Sequence, residues 1–179
     1  MSMQMDKELA QKALSLLDQK IFDVGMDYVR ITVGGGGAMM LAHNFPGKTN
    51  DVDGVTTKGS FEEIKALAEQ VGDELKIDHD WLNPHFSAFT FYLPADAKSR
   101  YTVIFNGKKL VVEALGAEDV LIMKLMAGRA KDLAHIRHLL KCKLDLKIVE
   151  NRLQELKNNS PYAKSAQKAL DLLDDELEE

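Results

Sequence analysis

The run Ile31-Thr-Val-Gly-Gly-Gly-Gly-Ala38, followed shortly by Asp51-Val-Asp53, limits this chain more than any other feature. Four consecutive glycines are costly in backbone entropy. A plain turn rarely needs them, whereas a backbone that must approach something closely does. The β-branched residues before them read as a strand, and Asp51 to Thr56 reads as a second. Side chains alternate along a strand, so Asp51 and Asp53 would share one face. Aspartate is disfavoured in strands and like charges side by side repel, so the pair calls for a positive partner. Mg²⁺ (or Mn²⁺) answers that need, because it takes one or two carboxylates and completes its shell with phosphate oxygens. Asp51 and Asp53 are therefore the candidate metal ligands. Gly35, Gly36 and Gly37 are candidates for presenting N–H groups to phosphate at a helix start. The run is not a Walker A loop, because no Gly-Lys-Ser/Thr closes it.

A chain of 179 residues fits one domain with a helical appendage. Apolar residues make up 45%, enough for a core, which excludes global disorder. A formal net charge of −5 argues against a whole surface adapted to nucleic acid. Cys142 is the only cysteine, so there is no disulfide framework and no cysteine zinc site. It is expected to be an inert buried thiol. The start has no apolar signal core, and no apolar run approaches the roughly 20 residues that span a bilayer. A soluble, cytoplasmic protein is expected, with no membrane partner.

Leu9, Ala13, Leu16, Leu17 and Ile21 set a helix over 6–24 stopped by Gly25, and Tyr28 to Val33 alternates as a strand. A short helix is expected over 38–45. Ser60 should cap a helix that Gly72 closes. Residues 74–78 and 87–93 look strand-like. Between them, Asp78-His-Asp-Trp-Leu-Asn-Pro-His85 is irregular, and Trp81 there fits core packing better than stacking on a base. Tyr101 to Leu115, broken by Asn106-Gly107, predicts a hairpin with a type I′ turn. Helical patterns follow, with Glu118 and Asp119 at the positive end of the first, and Ser160-Pro161 opens the last. The fold class expected is α+β: a mixed β-sheet flanked by helices, with a C-terminal helical segment. The expected division is an α/β core over 1–116 and a helical segment over 117–179 packed on it as one compact domain.

Gly36-Gly37-Ala38 with Lys48-Thr-Asn-Asp51-Val-Asp53 resembles the signature of the nucleotidyltransferase superfamily, most of all its bacterial AbiEii-like and poorly characterised members. Lys124-Leu-Met-Ala-Gly-Arg129-Ala-Lys-Asp132 is similar to the helix those proteins carry after the sheet. The resemblance covers roughly residues 30–140. It departs from many active members, which have Gly-Ser in the turn where this chain has only glycines and Ala38. It implies a nucleotidyltransferase-like fold and transfer of a nucleoside monophosphate from an NTP to a hydroxyl acceptor on tRNA or protein. It also implies a toxin role opposite an antitoxin partner. By the same resemblance Asp51 and Asp53 are catalytic, and Thr49, Lys124 and Arg129 join the phosphate-binding set, with Asp132 orienting Arg129. A third acid is expected from a neighbouring strand, with Asp78, Asp80 and Glu113 as candidates and Asp78 slightly favoured. Two other functions remain open: a catalytically weak nucleotide- or protein-binding module, and a hydrolase using the same acids. The oligomeric state and the choice of NTP are not legible.

Overall fold

The computed structural model describes residues 3–159 and 161–178. They fall into two compact units. The first comprises residues up to 88 together with 101–115, and the second comprises 89–100 with 116 onward.

The first unit holds α1 (Lys7–Asp23), β1 (Val29–Val33), α2 (Gly35–Leu41), β2 (Val52–Lys58), α3 (Phe61–Leu75), β3 (Leu82–Asn83), β4 (Thr102–Asn106) and β5 (Leu110–Ala114). The strands form one mixed sheet in the order β3-β2-β1-β5-β4. Strand β2 runs antiparallel to β1 and parallel to β3, while β5 runs parallel to β1 and antiparallel to β4. Val29, Ile31 and Val33 face the same way as their partners Leu110, Val112 and Ala114, and all six are buried. Helix α1 contacts β5 and packs along α3, closing this core. The alternate positions Arg30, Thr32, Asp53 and Glu113 therefore share the opposite face of the sheet, and Asp51 lies just before β2, which starts at Val52 rather than Asp51.

The second unit holds α4 (Ala117–Ala127), α5 (Leu133–Leu140), α6 (Leu146–Lys157) and α7 (Ala163–Glu178), with α4 packed against the other three. Residues 89–100 belong to it by specific bonds. The Arg100 guanidinium is bidentate on the fully buried Asp119, at 2.7 and 3.0 Å, and Arg152 donates to the carbonyls of Phe91 and Tyr92.

Several sequence expectations are corrected. Helix α2 begins at Gly35, so Gly35 to Gly37 open its first turn with Gly34 as the N-cap, and it ends at Leu41 rather than near Phe45. Helix α3 runs through Gly72 and stops three residues later, where Lys76 takes a left-handed φ of 56°. Residues 74 and 75 are therefore its end, and 76–78 turn away from it rather than form a strand. Gly72 serves packing: a Cβ there would sit 2.9 Å from the Asp78 carbonyl as the chain returns over the helix. Residues 87–93 fall mostly in a 3₁₀ helix (His85–Tyr92) rather than a strand, and the stretch expected to be irregular contains β3. Cys142 is exposed. Trp81 is fully buried, with its Nε1 donating to the Ala68 carbonyl at 2.8 Å. Pro161 lies in a turn before α7, and Ser160 lies outside the described residues.

The hairpin forms, but not around a type I′ turn. Gly107 has no positive φ, and the loop from Gly107 to Lys109 is held from outside. Buried Asp18 of α1 accepts from the backbone N–H groups of Lys108, Lys109 and Leu110 at 3.0, 2.7 and 2.8 Å. A Cβ on Gly107 would collide with that carboxylate, which is why glycine stands there. Removing the acceptor leaves three donors to find new partners, each of which loses a charge-assisted bond. Asp18→Ala is expected to cost about 2–4 kcal/mol, read as a lower urea midpoint with an unchanged slope.

Candidate active site

Two elements meet at the β1 to α2 turn. Gly34, the N-cap of α2, is extended, and Gly35 then takes a φ of 57°, which bends the chain sharply from strand into helix. The first N–H groups of any helix lack carbonyl partners four residues back, so this turn directs amide donors out of the sheet end. Strand β2 runs beside it. A Cβ on Gly35 would lie 2.8 Å from Asp53 Oδ2, and one on Gly36 would lie 3.6 Å from Thr49 Oγ1. Gly37 sits tight on the core side, where a Cβ would be 3.3 Å from both Val33 and Val52. The glycines thus serve two purposes. Gly35 brings backbone against a carboxylate, and Gly37 lets α2 pack on the strands.

Asp51 and Asp53 flank fully buried Val52 and are themselves half-buried. Thr49 positions the approach to them. Its backbone exchanges two hydrogen bonds with Met5, at 2.7 and 2.8 Å, and its hydroxyl donates to the Asp51 carbonyl at 2.9 Å. On the other side lies a residue that sequence reasoning missed. Asn83 of β3 is in register with Asp53, and its Nδ2 donates to Asp51 Oδ2 at 3.3 Å. Phe86 also escaped notice. Its ring lies where a Gly34 side chain would be, with the nearest atom 2.9 Å from that Cβ position. No local pattern marks either residue, because Asn83-Pro84 reads as a turn signal until the strand pairing is known.

The remaining candidates lie elsewhere. Asp78 is at the turn after α3, where its carboxylate accepts from the Asp80 N–H at 3.0 Å, and both acids belong to an exposed loop. Glu113 is on β5, separated from β2 by β1, and is paired with Arg30. Among the described residues, no three His, Cys, Asp or Glu side chains converge as a metal-holding group.

Lys124 and Arg129 lie in the second unit, where both bind Asp132, at 2.7 and 2.6 Å. Asp132 is only 2% exposed and Lys124 only 4%. Burial alone would push the Asp132 carboxyl up, but the nearby His135 ring, Arg129 and Lys124 outweigh it and hold the carboxyl well below the usual carboxylate range. At Lys124 burial wins, and the ammonium is pulled below its ordinary pKa despite the carboxylate.

No helix among the described residues is long and apolar enough to cross a membrane. A glycine turn set against the Asp53 carboxylate, with Asp51 close by in sequence, at the end of two interior strands is an arrangement suited to holding a nucleotide's phosphates. No curated protein and no solved structure matches the chain significantly. A family model does, over residues 12–175, which includes both acids, the glycine turn and the Lys124–Asp132 cluster. The chain belongs to that family, the nucleotidyltransferases of unknown function (DUF6036).

Proposed function

We propose that this chain moves a nucleoside monophosphate from a nucleoside triphosphate to a hydroxyl acceptor and releases pyrophosphate. The observation that carries this reading is the placement of Asp53 against Gly35, with Asp51, just before β2, bonded to the Asn83 that pairs with Asp53. Two hard carboxylates beside a turn of amide donors fit a Mg²⁺ or Mn²⁺ ion that also takes phosphate oxygens. Asp51 and Asp53 would hold it, and when bound it supplies positive charge to the transferring phosphoryl group.

The chain's own residues then divide the work. Gly35, Gly36 and Gly37 orient the triphosphate through backbone N–H groups, and the missing side chain at Gly35 keeps the approach open. Thr49 fixes the backbone of Asp51. Asp78 or Asp80, in the exposed loop after α3, would take the acceptor's proton. Exposed Arg129, Lys131, Lys141, Lys143 and Lys147 favour an RNA acceptor, tRNA included, over a protein side chain. A toxin component held in check by an antitoxin, as the AbiEii-like resemblance implies, is the biological role this chemistry suits.

The test is thermal unfolding with ATP, GTP, CTP and UTP, each with and without Mg²⁺. One triphosphate together with Mg²⁺ is expected to stabilise the chain by about 2.7 kcal/mol at a hundredfold excess over its dissociation constant. The effect should vanish in Asp51→Asn. Stabilisation that ignores Mg²⁺ would instead mark a nucleotide-binding module.

A further inference from the structure

We infer that Asn83 is the positioning residue for Asp51, and that by supplying an amide rather than a third acid it makes the cation enter together with the triphosphate. The inference rests on the nucleotidyl-transfer reading above and deepens it.

Asn83 is 4% exposed, and both polar atoms of its side chain have partners. Its Nδ2 donates to Asp51 Oδ2 and to the Asp80 carbonyl, both at 3.3 Å, while its Oδ1 accepts from the His85 N–H at 3.0 Å. Those partners fix which way round the amide lies. The reverse orientation would set oxygen against a carboxylate and a carbonyl, and nitrogen against an N–H. The short strand β3 has firm neighbours on both sides: Trp81 is buried and bonded to Ala68, and Phe86 is packed over Gly34. Asn83 therefore presents a donor to the acid face from a rigid place, and it holds one oxygen of Asp51 while leaving the other available.

The consequence follows from charge. Asn83 is in register with Asp53 and touches Asp51, so a carboxylate at 83 would stand within the same group. Ligand charge count tunes the affinity of such sites for divalent cations. With two carboxylates and a neutral amide, a large share of the attraction must come from the phosphates themselves. Metal affinity is then low in the free protein and high once nucleotide is present.

Mn²⁺ is the probe, its free concentration followed by electron paramagnetic resonance with the full chain, alone and with the triphosphate that best stabilises it. The unmodified protein is expected to bind Mn²⁺ at least about tenfold more tightly with nucleotide than without. Asn83→Asp should bind Mn²⁺ alone about tenfold or more tightly than the unmodified protein. Its melting temperature, lowered by three crowded carboxylates, should recover when Mn²⁺ is added. Asn83→Ala should lose about 10–100-fold in kcat with a much smaller change in KM. If Asn83→Ala does not fold, Asn83→Asp carries the test. Should the unmodified protein bind Mn²⁺ equally well with and without nucleotide, or should Asn83→Asp match it in Mn²⁺ alone, the inference is overturned while nucleotidyl transfer stands. A protein that binds no Mn²⁺–nucleotide at all would overturn both.

Discussion

Asp53→Asn is expected to reduce nucleotidyl transfer by about 10²–10³-fold while leaving the fold intact or slightly more stable. The two effects have one origin. Asp53 of β2 and Asp51 just before it are like charges two residues apart, both half-buried, and each raises the energy of the other. Removing one charge relieves that opposition and, on the proposed reading, also removes a metal ligand. The shape of the side chain is kept, so the fit against Gly35 is kept as well. The measurement is a pair of melting curves with a transfer assay. The variant should melt at or above the unmodified protein without ligand, and below it when Mg²⁺ and triphosphate are present. A variant that melts well below the unmodified protein without ligand would mean that Asp53 is structural.

The largest expected loss of stability is at Asp132. Asp132→Asn takes the counter-charge from Lys124, whose ammonium is buried and 2.7 Å away. Breaking a buried pair from one side leaves an uncompensated charge and costs about 3–5 kcal/mol. The double variant Lys124→Met, Asp132→Leu should recover much of the loss, because no buried charge is left behind. The pair also sets a pH dependence. The folded-state pKa of Asp132 lies below its unfolded value of about 4, so the folded chain binds fewer protons than the unfolded chain between the two. Its stabilisation is complete above the unfolded pKa and drains as pH falls through the folded one. The gap in urea midpoint between the unmodified protein and Asp132→Asn should therefore be widest near neutral pH and narrow below about pH 4. A gap that does not change with pH would contradict this role for the carboxylate.

What could be read from the chain beforehand depended on how local the cause was. Asp51-Val-Asp53 was legible as the opening of a strand, although β2 starts at Val52 and leaves Asp51 just before it. Helix α1 was legible because its apolar positions recur at helical spacing, and it ends within a residue of the expected limits. The glycines were read as an approach to phosphate; the close approaches the structure shows are to Asp53, Val33 and Val52, and their membership of α2 was not visible, since glycine is a poor helix former. Gly72 misled for the same reason, being a packing glycine inside α3. Residues 87–93 are aromatic enough to look like a strand, yet they join a 3₁₀ helix whose Phe91 and Tyr92 carbonyls are held by Arg152, about sixty residues further on. The hairpin was found from its Asn-Gly signal, but its true support is Asp18, about ninety residues earlier. Asn83 was hidden by the same distance in sequence, because its partner Asp51 lies on another strand.

The most direct measurement uses triphosphates labelled at the α-phosphate, with Mg²⁺ and total RNA, and follows label and pyrophosphate together. The unmodified chain should attach label to an acceptor with one pyrophosphate released for each label transferred, and in Asp51→Asn and Asp53→Asn both should fall together by about 10²–10³-fold. Equal label transfer by the unmodified chain and both variants, or release of free phosphate with no label transferred, would contradict the assignment of these two carboxylates to nucleotidyl transfer.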